Sequence, residues 1–424
     1  MKITFRILLL FICFQSFSQD IKYAREVLDT LCSPSFDGRG IYNNGEKRAA
    51  EYIRNEFKKN GLKAFNNSYF QKFEHPANAI SGKIVFKIDD QELVPGKDFL
   101  IDPSSPKFDG KEDLIFFTKE EIMDIDKFKL KLLKSRDKFV VIDKTLIADE
   151  SREVQGFVYE MIMFLKLSQE IPIKGVVEVI KDKLTYTASQ EVAARPHLIV
   201  LKDKINKKSD EITLKFNNVY TEKYQSQNVI GYLEGQVKDS LICVVGHYDH
   251  LGRMGDSVYF PGANDNASGI AMMLNLAKDF NKEKLKYSVV FIAFGSEEIG
   301  LVGSKYFTEN PLFPLQNIKF LLNLDILGTG DDGIQVVNGK EFKKEFDKLV
   351  SLNKENNLLK QVKIRGSACN SDHCFFYEKG VPSFFIYTLG GIAHYHNVFD
   401  KSETLPLTEF EDLFKLLKKF LLEQ

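Results

Sequence analysis

Along this chain the spacing of apolar positions changes character twice. In "GEKRAAEYIRNEFKKNGL", Ala49, Ile53 and Phe57, with Ala50 beside them, make one stripe at helical spacing. Gly61 stands just past the stripe as a stop signal. Between 76 and 220 short β-type runs take over: "KIVFKI", "DLIFF", "KFVVID", "GVVEVI", "HLIVL" and "EITLKF". One helix-like stretch, "VQGFVYEMIMFLKL", interrupts them. From about 225 strand-like and helix-like stretches alternate. "LICVVG" precedes "NASGIAMMLNLAKDF"; then come "YSVVFIAF", "IKFLLNLDI", the helical "EFKKEFDKLVSLN", "SFFIYT" and a final helix. That last helix is expected to open on a capping box from Thr408 to Glu411. Alternating units whose strands are apolar throughout predict an α/β fold, with a largely parallel sheet covered by helices on both faces. The expected division is an N-terminal segment 19–75, an inserted β-rich domain 76–220, and an α/β body 221–424 to which the first segment belongs.

The first residues stand apart. In "MKITFRILLLFICFQSFSQD", Lys2 and Arg6 flank an apolar core from Ile7 to Phe14, and Ser16-Phe17-Ser18 offers small residues at a cleavage site. This is the pattern of a secretory signal peptide over 1–18, cut before Gln19. The apolar run is too short to span a bilayer, and Cys13 lacks the small residues expected before a lipidated cysteine. The expectation is an exported protein, periplasmic or secreted, with no integral membrane association. A formal net charge of −1 gives no electrostatic reason to expect nucleic acid as a partner. Cleavage would leave Cys32, Cys243, Cys369 and Cys374. In "ACNSDHC" the last two are close enough for a small disulfide loop or for two thiols, and Cys243 in its apolar strand has the setting of a buried thiol. Composition does not speak to oligomeric state.

Acids and histidines gather where the predicted strands end. His247 and Asp249 follow "LICVVG", Glu297 and Glu298 follow "SVVFIAFGS", Asp325 ends "IKFLLNLD", and His396 comes soon after "SFFIYT". Asp265 opens a helix in "PGANDNASG". Five of the seven histidines fall between 247 and 396. Taken singly, Asp265 could cap its helix and Glu297–Glu298 could be a solvated turn. Taken together at one sheet edge, where ligands bind in such folds, they would repel unless a cation or shared protons sat among them. Imidazole and carboxylate without thiolate suit zinc, and less strongly manganese or cobalt. Three carboxylates are balanced by two divalent ions and one hydroxide, the charge pattern of a two-metal hydrolase.

In order along the chain, "GHYDHLG", "GANDNASG", "SEEIGLVGS", "NLDILG" and "YHNVFD" resemble the motif set of the M28 family of zinc peptidases. "SFDGRGIYNNGEKRAAEYI" resembles that family's opening segment, and 76–220 is more loosely similar to the protease-associated insert of some members. The resemblance implies a mixed eight-stranded sheet. It implies one metal on His247, Asp265 and Asp325, and a second on Asp265, Glu298 and His396, with Asp265 bridging two Zn²⁺. It implies Glu297 as the general base, acting on a water between the metals, and Asp249 as the acid that orients His247 through its other ring nitrogen. Asp400 matches the last motif, either as a cap or in catalysis. His250, His373 and His394 receive no role from the motif. The implied activity is hydrolysis of peptides, most simply by an aminopeptidase. A carboxypeptidase or dipeptidase of the same family would want Arg253 or Arg365 to hold the substrate carboxylate. A glutaminyl cyclase would share the fold with a single zinc, and a metal-free binding ectodomain would need to have lost its ligands. Family members that stabilise the oxyanion with a tyrosine place it just before "SDH", where this chain has "GSACN".

Overall fold

Eight strands build the body of the computed structural model, which describes residues 21–424; the leader expected over 1–18 lies outside the described residues. In chain order they are β1 (Phe70–Ile88), β2 (Glu211–Leu233), β3 (Val237–His247), β4 (Tyr287–Phe294), β5 (Ile318–Leu324), β6 (Ile334–Val337), β7 (Val362–Ile364) and β8 (Ser383–Thr388). In space they run β7-β6-β8-β5-β3-β4-β2-β1. β4, β3, β5 and β8 are mutually parallel neighbours, whereas β2 and β1 return antiparallel at one side and β6 pairs antiparallel with β8 at the other.

The continuous apolar strands have a direct cause. Ile242 and Val244 of β3 enter the core formed with helices Ile21–Leu31, Gly45–Lys59, Ser268–Phe280 and Phe410–Leu422. Leu241, Cys243 and Val245 point to the opposite face, under Phe307 and Phe376 of helices Val302–Glu309 and His373–Glu378. Both faces are covered, so neither register of the pleat is free for polar residues. The last helix begins at Phe410 with no side-chain cap. Leu407 turns the chain with φ +56, which leaves Thr408 short of the helix, and the box expected there does not form. The capping box that does form is Thr118 with Glu121, in the insert.

The insert continues the same sheet. Strand Phe108–Phe116 pairs with β2, and Phe139–Asp143, Gly175–Ile180 and His197–Leu201 follow in parallel, with Phe99–Ile101 at the edge. Besides the expected helix, here Arg152–Leu167, it holds helices Lys119–Met123 and Ile125–Leu133. These helices cover one face of the strands. The other face packs Phe139, Val177 and Leu198 into a cluster that takes in Leu251, Met254 and Phe260, from the segment after His247. The domain limits expected from sequence fall inside β1 and β2, where Ala77 pairs with Thr221.

Within the insert His197 lies buried between two acids, with Nδ1 3.3 Å from Asp102 and Nε2 3.2 Å from Glu178. Lys166 and Lys144 close the row at 2.9 and 2.8 Å. Burial opposes charge on His197, but Asp102 and Glu178 override it and raise its pKa above 6.5. A raised folded-state pKa means that this stabilisation is complete below the unfolded value and fades as pH climbs through the folded one. Urea unfolding at a series of pH values should show wild-type stability falling above about pH 6.5, and His197→Gln should flatten that slope. Phe291 is fully buried between Phe57 and Phe280. Phe291→Ala should lower the unfolding free energy by roughly 3–5 kcal/mol, measured by denaturant midpoint.

Candidate metal centre

Because β3, β4, β5 and β8 are parallel neighbours, their carboxyl ends open on one edge. His247 is the last residue of β3, Asp325 comes directly after β5, and Glu297–Glu298 lie in the turn after β4. Asp265 comes from a five-residue turn, Ala263–Ala267, that leads into helix Ser268–Phe280; the Asp265–Asn266 peptide is cis. His396 lies in the loop after β8.

The five expected ligands meet around Asp265. His247 Nε2 lies 3.3 Å from Asp265 Oδ1 and 3.4 Å from Asp325 Oδ1. His396 Nε2 lies 3.0 Å from Asp265 Oδ2 and 3.0 Å from Glu298 Oε2. Two donors about 2.05 Å from one tetrahedral zinc sit roughly 3.3 Å apart, so each histidine stands at ligand spacing from its two carboxylates. Asp325 Oδ1 and His396 Nε2 are buried and have no hydrogen-bond partner, the condition of atoms aimed at an ion rather than at each other. Burial opposes the imidazolium of His396, but Glu298 and Asp265 carry its pKa up to about 11. Glu298 is held down at about 2, against burial, by His396 and His250. Such a field draws in positive charge as protons or as divalent ions, and the donor set fits zinc.

Each ligand is steadied from behind. Asp265 and Asn264 donate their backbone N–H groups to Asp400, at 2.9–3.1 Å, so Asp400 holds the Asp265 turn and does not serve as a cap for the chain beyond position 400. Asn266 Nδ2 donates to the carbonyls of His247 and Leu324, tying the ends of β3 and β5. Asp325 Oδ2 accepts from Ser371 Oγ at 2.9 Å. Ser371 lies inside a loop closed by the Cys369–Cys374 disulfide; Cys243 is a buried free thiol. His250 Nδ1 donates to Glu298 Oε1, 2.6 Å away. His396 Nδ1 meets the carbonyl of Tyr186, in the insert, at 3.0 Å. His373 bonds to the carbonyl of Ala368, and His394 lies against Phe399.

Asp249 works differently from its expected role. His247 Nδ1 meets the main-chain carbonyl of Asp249 at 3.3 Å, while the carboxylate is 3.8 Å away. The carboxylate instead accepts the backbone N–H groups of Glu297 and Glu298, at 3.0 and 3.1 Å. It therefore aims both glutamates. Glu297 is half-buried, with a carboxylate oxygen within 4.8 Å of ligand atoms of His247 and Asp325. Burial, reinforced by Glu298, Asp372 and Asp325 and opposed by His247, keeps its carboxyl well above the ordinary range.

Two residues that the motif reading left without a part stand close in. Arg39 is fully buried and donates to the carbonyls of Leu31, Tyr248, Pro261, Gly262 and Asp265. It sits in the "DGRG" segment, which threads so close to the loop after His247 that a Cβ on Gly40 would lie 2.2 Å from Gly252 Cα. Tyr395, 43% exposed, stacks on the His396 ring at 3.8 Å, and the charges of Asp265, Glu298, Asp325 and Glu297 all act on its phenol. Its place immediately before a ligand histidine was the available signal.

Comparison with known proteins covers the stretch of chain that carries these residues. Residues 228–421 match the family model described as Peptidase family M28. The chain is 35% identical over 122 residues to aminopeptidase YwaD of Bacillus subtilis (strain 168), covering 28% of this chain and 25% of YwaD. It is 37% identical over 113 residues to a probable zinc metalloprotease of Pyricularia oryzae, covering 25% of this chain and 22% of that protein. The matches thus span about a quarter of these relatives' own length. Among solved structures, BSAP, a zinc aminopeptidase from Bacillus subtilis, superposes with a TM-score of 0.71 at 20% identity, over 95% of this chain and 94% of that one. A Peptidase M28 precursor from Shewanella amazonensis SB2B gives 0.70 at 16% identity, over 95% and 93%. The shared fold therefore extends through the insert.

Removing a guanidinium that serves five carbonyls leaves buried acceptors unpaired. Arg39→Ala should cost at least about 3 kcal/mol and Arg39→Lys less, both read from urea unfolding.

Proposed function

We propose, of a chain whose residues 228–421 match the model of peptidase family M28, that it is an exported two-zinc metallopeptidase removing residues from the amino ends of peptides. The observation that carries this reading is the division of Asp265: one carboxylate oxygen is turned to His247 and the other to His396, 3.3 and 3.0 Å away. One ion would be held by His247, Asp265 and Asp325, the other by Asp265, Glu298 and His396. When bound, the zinc ions supply Lewis acidity and bring the pKa of a water toward 7.

The chain's own residues do the rest. Glu297 takes the proton of the attacking water and passes it to the departing amine, a transfer for which its place beside His247 and Asp325 suits it. Asp249 keeps Glu297 aimed through the turn's backbone N–H groups. Tyr395, stacked on His396, offers an O–H to the oxyanion that develops on the peptide carbonyl. This is the donor not found before "SDH".

Two further observations favour the amino end. Arg253, one candidate for holding a substrate carboxylate, is engaged by Asp37 Oδ1 at 2.7 Å. Arg365, the other, donates to the Tyr387 hydroxyl at 3.1 Å. The names of YwaD and BSAP point the same way. Export rests on the leader-like residues 1–18.

The test is a panel of free and N-blocked peptides assayed with and without chelator. Turnover should require a free amino end and zinc; preference for blocked peptides with a free carboxyl end would replace this reading with a carboxypeptidase. Glu297→Gln should keep both zinc ions by elemental analysis and lose about 10²–10⁴ in kcat. Tyr395→Phe should lose about 10²–10³ in kcat with zinc content unchanged. His247→Ala should instead lower zinc content.

A further inference from the structure

We propose that Tyr186, in the insert, is a positioning residue for His396, so that the insert is a working part of the metal centre. This rests on the zinc reading above. Tyr186 and His396 are 210 residues apart and are joined twice: the Tyr186 N–H donates to the His396 carbonyl at 2.8 Å, and His396 Nδ1 meets the Tyr186 carbonyl at 3.0 Å. A carbonyl can only accept, so Nδ1 must carry the proton. In the neutral ring the tautomer is thereby fixed with the lone pair on Nε2, the atom turned to Asp265 and Glu298.

His396 needs such a hold more than His247 and Asp325 do. His247 ends β3 and Asp325 comes directly after β5, and both inherit strand geometry. His396 lies in irregular chain with φ +54, a conformation that a non-glycine residue keeps only where its surroundings impose it. Tyr186 can impose it because its own ring is fixed. It is buried and stacked flat on Phe260, with centroids 4.4 Å apart and planes within 6°. Phe260 belongs to the cluster shared by the insert's strands and the segment after His247. The linkage thus runs from the insert's core through Phe260 and Tyr186 to the ring of His396.

The experiment is zinc affinity, site by site, measured on the full chain by competition with a chromophoric chelator. Tyr186→Ala should weaken one of two zinc ions by about 10–100-fold, the usual effect of losing a partner behind a ligand, and leave the other unchanged. Phe260→Ala should weaken the same ion, and the double variant should be no weaker than the worse single one, as expected for residues acting in one chain of contacts. Tyr186→Phe keeps the ring and backbone and should retain wild-type affinity. Phe128→Ala opens the insert's other core, beside Phe117; it should lower the melting temperature without touching either affinity. Unchanged affinity in Tyr186→Ala, or equal weakening by Phe128→Ala, overturns the inference and leaves the zinc reading standing. A wild-type chain that takes up no zinc overturns the zinc reading and the inference with it.

Discussion

The whole arrangement depends on confining like charge. Asp265, Glu298 and Asp325 approach one another at a sheet edge from which water is largely removed, their side chains only 5–8% exposed. At such distances in a medium of low polarity, mutual repulsion is worth several kcal/mol. No packing of apolar residues nearby can cancel it; only positive charge placed between the groups can. The two histidines are the ordinary partners of such a cluster, and their ring nitrogens stand where donors to shared cations would stand.

The surroundings of the cluster hold it without competing for that charge. Arg39 supplies a full positive charge but directs its donors to carbonyls, not to the ligand carboxylates. Asp400 and Asp249 are acids, yet each accepts from backbone N–H groups of the ligand-bearing turns. Asn266 does the same with both ends of its amide, donating to β3 and β5 and accepting from Gly269 and Ile326. The support is therefore made largely through the main chain, which leaves the ligand side-chain atoms free. Ser371 and His250 are exceptions, and each occupies one carboxylate oxygen while another remains available.

Much of this was legible in the sequence because strand ends are legible. "YSVVFIAF" and "SFFIYT" correspond to β4 and β8 residue for residue, so the acids and histidines after such runs could be assigned to one edge. The role of Asp249 was harder. Its distance from His247 along the chain suggests a side-chain contact, but the strand's end directs the carboxylate toward the Glu297–Glu298 turn instead. Arg39 and Tyr186 were out of reach for a different reason. Arg39 serves backbone carbonyls and Tyr186 acts through its own main chain, and neither leaves a trace in residue identity. Tyr395 had a trace, its place before His396, but only the stacking gives that place a meaning. The two extra helices of the insert were hidden by lysines among short apolar runs, although Thr118 and Glu121 marked where the first one starts.

β1 and β2 run without interruption from the body into the insert, paired from Phe70 with Val229 to Ile88 with Ile212. In a β-ladder a slip of one residue sends every side chain to the opposite face. Here such an error could not be confined to either half, because the same two strands set the alignment of both. The irregularities between His75 and Ala77 and between Ser81 and Val85 act as fixed marks along this shared ruler. Loops hung from this ribbon can lengthen or shorten without disturbing it, whereas exchanging the insert for another would mean re-splicing two strands in step.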